Sequence, residues 1–166
     1  MELVKIAGGL LLVICGTLAG LYAAGKFKDR VRLYEQYLIF LNQVKTALGY
    51  TAPDVRELLE MESDVPLLSP VIHDTAALLD DGCNFSDAWQ SAVELHVRDR
   101  SDRELLRRFG ESFGTSNVSG EIGKLSLLME LVRERLDAMK EELKTKRRLY
   151  RIVGMFGGVL SAVLLI

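Results

Sequence analysis

The chain is poor in the residue types from which most protein chemistry is built. Its 166 residues include two cysteines and two histidines, and aromatic residues make up only 7%. Cys15 lies within a long apolar run and Cys83 follows Gly82 in a loop, so the pair does not read as a disulfide framework. Cys15 is expected to be a buried, inert thiol. His73 and His96 have no second histidine or cysteine at ligand spacing, which argues against a metal site. Asp74 follows His73 directly, but neighbouring helix residues point apart, and no serine or cysteine nucleophile is placed beside them. His96 is expected at a helix end, where an imidazole can interact with the helix dipole. Gly110, Gly114 and Gly120 follow no predicted strand and precede no lysine at phosphate-loop spacing. The acidic residues Asp80, Asp81, Glu111 and Glu121 are scattered and read as solvated faces. A net charge of −2, with few aromatics and none interleaved with basic residues, gives no reason to expect nucleic acid binding. No catalytic residue, metal ligand or cofactor site is assigned, and a small membrane enzyme is the weakest reading.

What is present is a strong segregation of charge. From Ile6 to Ala24 nineteen residues pass without a charge, IAGGLLLVICGTLAGLYAA, which as a helix is about 28 Å long, close to a bilayer core. A cleaved signal is disfavoured because Tyr22 occupies the −3 position for cleavage after Ala24, where a small residue is wanted, and Lys26 and Lys28 follow at once. The far end, IVGMFGGVLSAVLLI from Ile152 to Ile166, has fifteen uncharged residues, about 22 Å of helix, and is short for a crossing. Lys26, Lys28, Arg30 and Arg32 flank the first run, and Lys144, Lys146, Arg147, Arg148 and Arg151 flank the second. Both clusters lie on the side of the middle region, so the positive-inside rule puts that region in the cytosol and both termini outside. The expected organisation is an N-terminal transmembrane anchor (1–25), a cytosolic helical domain (26–151) and a C-terminal anchor (152–166). Small residues at four-residue spacing, Gly16, Gly20 and Ala24 in one anchor and Gly154, Gly158 and Ala162 in the other, form ridges suited to helix packing in lipid. The ridges could meet within the chain or between copies of a homo-oligomer.

The middle region reads as all-α, a compact helical bundle whose first and last helices continue the two anchors. Val31, Tyr34, Leu38, Leu41 and Leu48 give a helical stripe interrupted by Lys45, with Gly49 as its stop. Ile122, Leu125, Met129, Val132, Leu136, Met139 and Leu143 give a seam in the last helix. The two are expected to pair antiparallel as a stalk; the alternative is that both face a shared core. Between them, Pro53 opens a helix through about Met61, Ser69–Pro70 caps and starts the next and Gly82 closes it. Ser86 or Asp87 caps a third helix carrying Trp89, and Ser101–Asp102 begins a fourth that ends by Gly110 to Gly114. The stretch FGESFGTSNVSGEIGKLSLLMELV combines a tight turn with a glycine-studded entry into the last helix, and is either a plain helical corner or a place where a partner docks.

Several of these residues also carry a resemblance. The GTLAG segment of the first anchor, the Gly49–Tyr50 pair, the turn around Thr51–Pro53, the Gly82…Ser86–Asp87–Ala88–Trp89 element and the Phe109–Gly110…Phe113–Gly114–Thr115–Ser116 corner occur in a set order. In that order and spacing the chain resembles the stage III sporulation protein AB family of endospore-forming Firmicutes over nearly its whole length. That family more often has an aspartate and, four residues on, a glutamine where this chain has Asn117 and Glu121. It is in turn similar to the cytoplasmic helical domains of type II secretion and type IV pilus platform proteins, here most visibly in SGEIGKLSLLMELV. The resemblance implies a non-catalytic scaffold of the secretion-like channel complex between mother cell and forespore. It further implies a mother-cell membrane location, other membrane subunits as neighbours, and the cytosolic ATPase stage III sporulation protein AA as partner. Trp89, Gly110, Gly114, Asn117 and Glu121 are the candidate docking residues. A membrane-tethered adaptor for other cytosolic proteins, unrelated to secretion, is the alternative.

Overall fold

The computed structural model describes residues 25, 28–51, 53–61 and 64–164, with side chains through Thr145. These residues form six helices, and among them there is no strand. Helix α1 spans residues 28–50, followed by α2 (Val55–Glu60), α3 (Ser69–Asp80), α4 (Phe85–His96), α5 (Arg100–Ser112) and α6 (Val118–Leu164). The all-helical expectation holds.

Helix α1 buries Tyr34, Tyr37, Phe40, Leu41, Val44 and Leu48. Positions 34, 37, 41, 44 and 48 alternate steps of three and four, the spacing that keeps side chains on one face. Of the stripe expected from the sequence, Tyr34, Leu41 and Leu48 are buried, while Val31 and Leu38 are only half-buried and Tyr37, Phe40 and Val44 complete the inward face. Lys45 does not interrupt the corrected stripe. Gly49 does not stop the helix, because the Thr51 amide still donates to the Ala47 carbonyl at 2.9 Å. Ending a helix through glycine takes a positive φ, and among the described glycines only Gly82 and Gly114 have one.

The caps also differ from expectation by one to three residues. Helix α2 starts at Val55 rather than Pro53 and is capped by Asp54, its Oδ1 accepting from the Val55 amide at 2.7 Å. Asn84, rather than Ser86 or Asp87, caps α4 by accepting from the Asp87 amide at 2.9 Å. Asp99 caps α5 with bonds from the Ser101 and Asp102 amides at 2.9 and 3.2 Å. In each case the carboxylate or amide oxygen reaches an orphan N–H of the first turn. Helix α3 starts at Ser69 as expected, but its N-cap is Leu68, which makes no side-chain cap bond, so Ser69 does not cap it. The helix closes in a complete Schellman turn, Gly82 N–H donating to Leu79 O and Cys83 N–H to Leu78 O, with Gly82 at φ +87°.

The chain divides into two units, one of residues 32–136 and one of residues 1–31 with 137–166. In the larger unit α4 packs between α3 and α5, and α2 lies against α3. There α1 sends its aromatic face toward α4 and α5, with Phe40 against Trp89 and Phe109 and Tyr34 bonded to Asp102. In the other, Lys28 and Val31 line a groove with Asp137, Lys140, Glu141, Leu143 and Lys144, bringing the first and last helices to one surface. The last seam is buried at Leu125, Met129, Val132 and Leu136, while Ile122, Met139 and Leu143 are half-buried.

The expected first anchor, with Gly16, Gly20 and Ala24, lies outside the described residues apart from Gly25. The second continues as helix through Leu164, but the side chains of Gly154, Gly158, Ala162 and their neighbours lie outside the description. Among the described residues no helix is long and apolar enough to cross a membrane.

Candidate functional site

Two of the sequence elements that stand apart in the chain meet in space. Trp89 on α4 is fully buried and sits among Phe40, Phe85 and Phe109, with ring centroids 5.7, 6.0 and 4.9 Å away. Phe113 extends the cluster from Phe109 and Phe85. The indole N–H donates to the Leu106 carbonyl at 2.8 Å, which satisfies the one polar atom the ring carries inside. This approach depends on Gly110: a Cβ there would come 2.6 Å from Trp89 Cδ1, closer than real carbon contacts occur. Trp89 and Gly110 are thus two halves of one α4–α5 contact. Being enclosed, Trp89 supports the surface above it and offers none of its own to a partner.

Alongside, the Tyr34 hydroxyl donates to Oδ1 of Asp102 at 2.8 Å. Asp102 is buried, in the first turn of α5, where a negative charge is favoured by the helix dipole. Tyr37 is buried too, with its oxygen 3.5 Å from the Leu106 carbonyl. Burial pushes its hydroxyl pKa well above the ordinary value.

The α5–α6 corner gathers the remaining candidates. Gly114 turns the chain at φ +78°. Asn117 then caps α6, its Oδ1 accepting from the Gly120 amide at 2.9 Å and its carbonyl from the Glu121 amide at 2.9 Å. Glu121 reaches back over the turn, and one carboxylate oxygen accepts from the Thr115 and Ser116 amides at 3.1 and 2.7 Å. Lys124 closes the arrangement by donating to the Ser112 carbonyl at 3.2 Å and to Thr115 Oγ1 at 2.6 Å, with Glu121 at 3.4 Å. The expectation of Glu121 as a solvated face is corrected here. Its side chain is 6% exposed, because the turn's two amides need an acceptor that water does not supply.

The histidines come no closer to catalysis. His73 is exposed, while His96 Nε2 lies 2.6 Å from Asp74 Oδ2 and ties α4 to α3. That hydrogen bond holds the Asp74 carboxyl below its ordinary range. Asp80 pairs with Arg56, which also holds Glu60 at 2.9 Å. No group of three or more potential ligands is assembled among the described residues.

A different surface went unnoticed in the sequence. Leu127, Leu128 and Leu131 of α6 and Arg108, Glu111 and Ser112 of α5 line an open groove of about 620 Å³ beside the corner. Leu127 is 71% exposed. The signal was available, since Leu127 falls off the seam through Leu125, Met129 and Val132.

Fold and corner together define a small helical protein whose most specific residues brace and cap a bundle. The chain belongs to the stage III sporulation protein AB family, whose family model matches residues 5–166, and it is a sporulation protein of stage III. Comparisons with curated proteins and with solved structures gave no match.

Proposed function

We propose that this chain is a non-catalytic membrane platform of the secretion-like channel complex between mother cell and forespore, and that it docks the cytosolic ATPase stage III sporulation protein AA. The chain sits in the mother-cell membrane facing the forespore, with the helical domain cytosolic and both ends outside. The observation that carries the reading is α6. This one helix begins at the corner, contributes Leu125, Met129, Val132 and Leu136 to the core, passes the basic cluster and enters the apolar end. A partner held near the corner is thereby linked by continuous helix to the membrane and to the other membrane subunits. Membership of the sporulation family supports the setting.

The test is co-purification of the detergent-solubilised full chain with that ATPase. Stable association with the ATPase is expected. If the two elute separately at concentrations where each is folded, the docking role is lost. The adaptor alternative would gain from association with a cytosolic protein outside the complex.

A further inference from the structure

We propose that the α5–α6 groove receives one amphipathic helix of the partner, apolar along one stripe and basic at the end that meets Glu130 and Glu134. This deepens the platform reading and rests on it for the identity of the helix's owner. On α6, Lys124, Leu127, Leu131 and Glu134 recur at spacings of three and four and share one face. That face would be polar throughout on a helix that met only solvent, yet Leu127 is 71% exposed and Leu131 is left half-buried. Across the groove stand Arg108, Glu111 and Ser112, so the apolar strip is walled by a second helix, the setting in which an amphipathic helix docks.

The charges along the trough set the occupant's polarity. At the corner end the Lys124 ammonium is already taken up by Ser112, Thr115 and the buried Glu121. At the far end Glu130 and Glu134 lie one turn apart and make no ion pair among the described residues, although Arg133 is close in sequence. Like charges four residues apart on a helix repel. A lysine or arginine of an incoming helix relieves that repulsion. An acidic residue farther along the occupant meets Arg108, which makes no ion pair among the described residues, while Glu111 beside it on the same wall is shared with Arg107 at 3.9 Å.

A second copy of the chain fits less well. Copies anchored in one membrane bring their α6 helices together in the same sense, setting Leu127 against Leu127 but also Glu134 against Glu134. The register that would pair Lys124 with Glu134 is antiparallel and needs the apolar ends on opposite sides.

The test uses the full chain in detergent and titrates the ATPase of the same complex. Leu127→Glu and the double change Glu130→Lys/Glu134→Lys are each expected to weaken binding at least tenfold, and the double change also flattens its salt dependence. Leu95→Glu, at an equally exposed leucine of α4, leaves binding unchanged. If the wild type binds and the groove variants bind equally well, the groove is not the site and the platform reading stands. If the wild type does not bind the ATPase, the platform reading falls. The groove is then decided with a synthetic helix bearing a leucine stripe and lysines at one end. Binding that is lost in Leu127→Glu keeps the groove as a helix site, and no binding overturns it. A detergent-stable dimer that Leu127→Glu converts to monomer assigns the groove to a second copy and overturns the proposal.

Discussion

A single missing side chain decides how α4 and α5 meet. The hydrogen of Gly110 leaves room for the Trp89 ring to lie against the α5 backbone and reach the Leu106 carbonyl. Gly110→Ala forces a methyl group into that contact and should cost about 1–3 kcal/mol, the usual range for overpacking. Trp89→Phe removes the N–H bond and part of the ring, so some of the crowding goes with it. The two changes should therefore be less than additive in a double-mutant cycle read by chemical denaturation of the detergent-solubilised chain. Additive costs would mean that the ring and the glycine do not depend on each other. Asp74 offers a second test at this scale. Its carboxyl titrates below the ordinary 3.8, first because of the hydrogen bond from His96, with smaller help from His73. A lowered carboxylate pKa means that the pair's contribution is complete above pH 3.8 and is lost as the pH falls through the lowered value. His96→Ala should bring the Asp74 midpoint back toward 3.8 in a carboxyl NMR titration.

The α5–α6 corner joins capping to the apolar packing of Phe113 against Phe85 and Phe109. One carboxylate oxygen of Glu121 serves two backbone amides, and Asn117 serves a third. Hydrogen bonds to an ionised acceptor are stronger than neutral ones, and amides left without an acceptor bear their full desolvation cost. Glu121→Ala should destabilise the chain by about 1–3 kcal/mol. It should also speed hydrogen exchange at the Thr115 and Ser116 amides ahead of the rest of α6. Glu121→Gln retains an amide oxygen at the same reach and should cost less. Equal exchange at those amides in wild type and Glu121→Ala would remove the capping account. Gly114→Ala acts on the same corner by another route. At φ +78° a Cβ is strained whatever the space around it, by roughly 1–2 kcal/mol.

Over the whole chain the charge segregation and the helical order lead to one topological prediction. Tyr50 is 87% exposed and Gly49 has open space around it, so an insertion there disturbs no packing. A fluorescent reporter placed between them, at the exposed last residues of α1, should fold and glow, as expected of a cytosolic region flanked by two basic clusters. A reporter active only outside the membrane, if it works at the same site, reverses the orientation. This experiment bears on membrane placement alone and leaves the groove and the ATPase to their own tests.

Some of this protein was legible in its sequence because the physics involved is local. Helix existence follows from three-and-four spacing, and the close of α3 follows from Gly82, whose conformation a non-glycine residue rarely adopts. The element carrying Trp89 and the glycine corner were visible as separate features of the chain. The face of α1 was read only in part: Tyr34, Leu41 and Leu48 are buried as expected, but Leu38 fits a helical period as well as Tyr37, Phe40 and Val44 do. Which stripe turns inward depends on the helices that cover it. The caps shifted by a few residues because several oxygen-bearing side chains stand near each helix start, and backbone geometry selects among them. Burial of Glu121 required a turn with two unserved amides to face it, a backbone arrangement that no single position announces in the one-dimensional pattern. The Leu127 groove needed α5 laid beside α6 before an off-seam leucine became a surface. Sequence determined the helices and the distribution of charge, both properties of near neighbours. Tertiary structure alone decided which faces are covered, since burial depends on residues far apart in the chain.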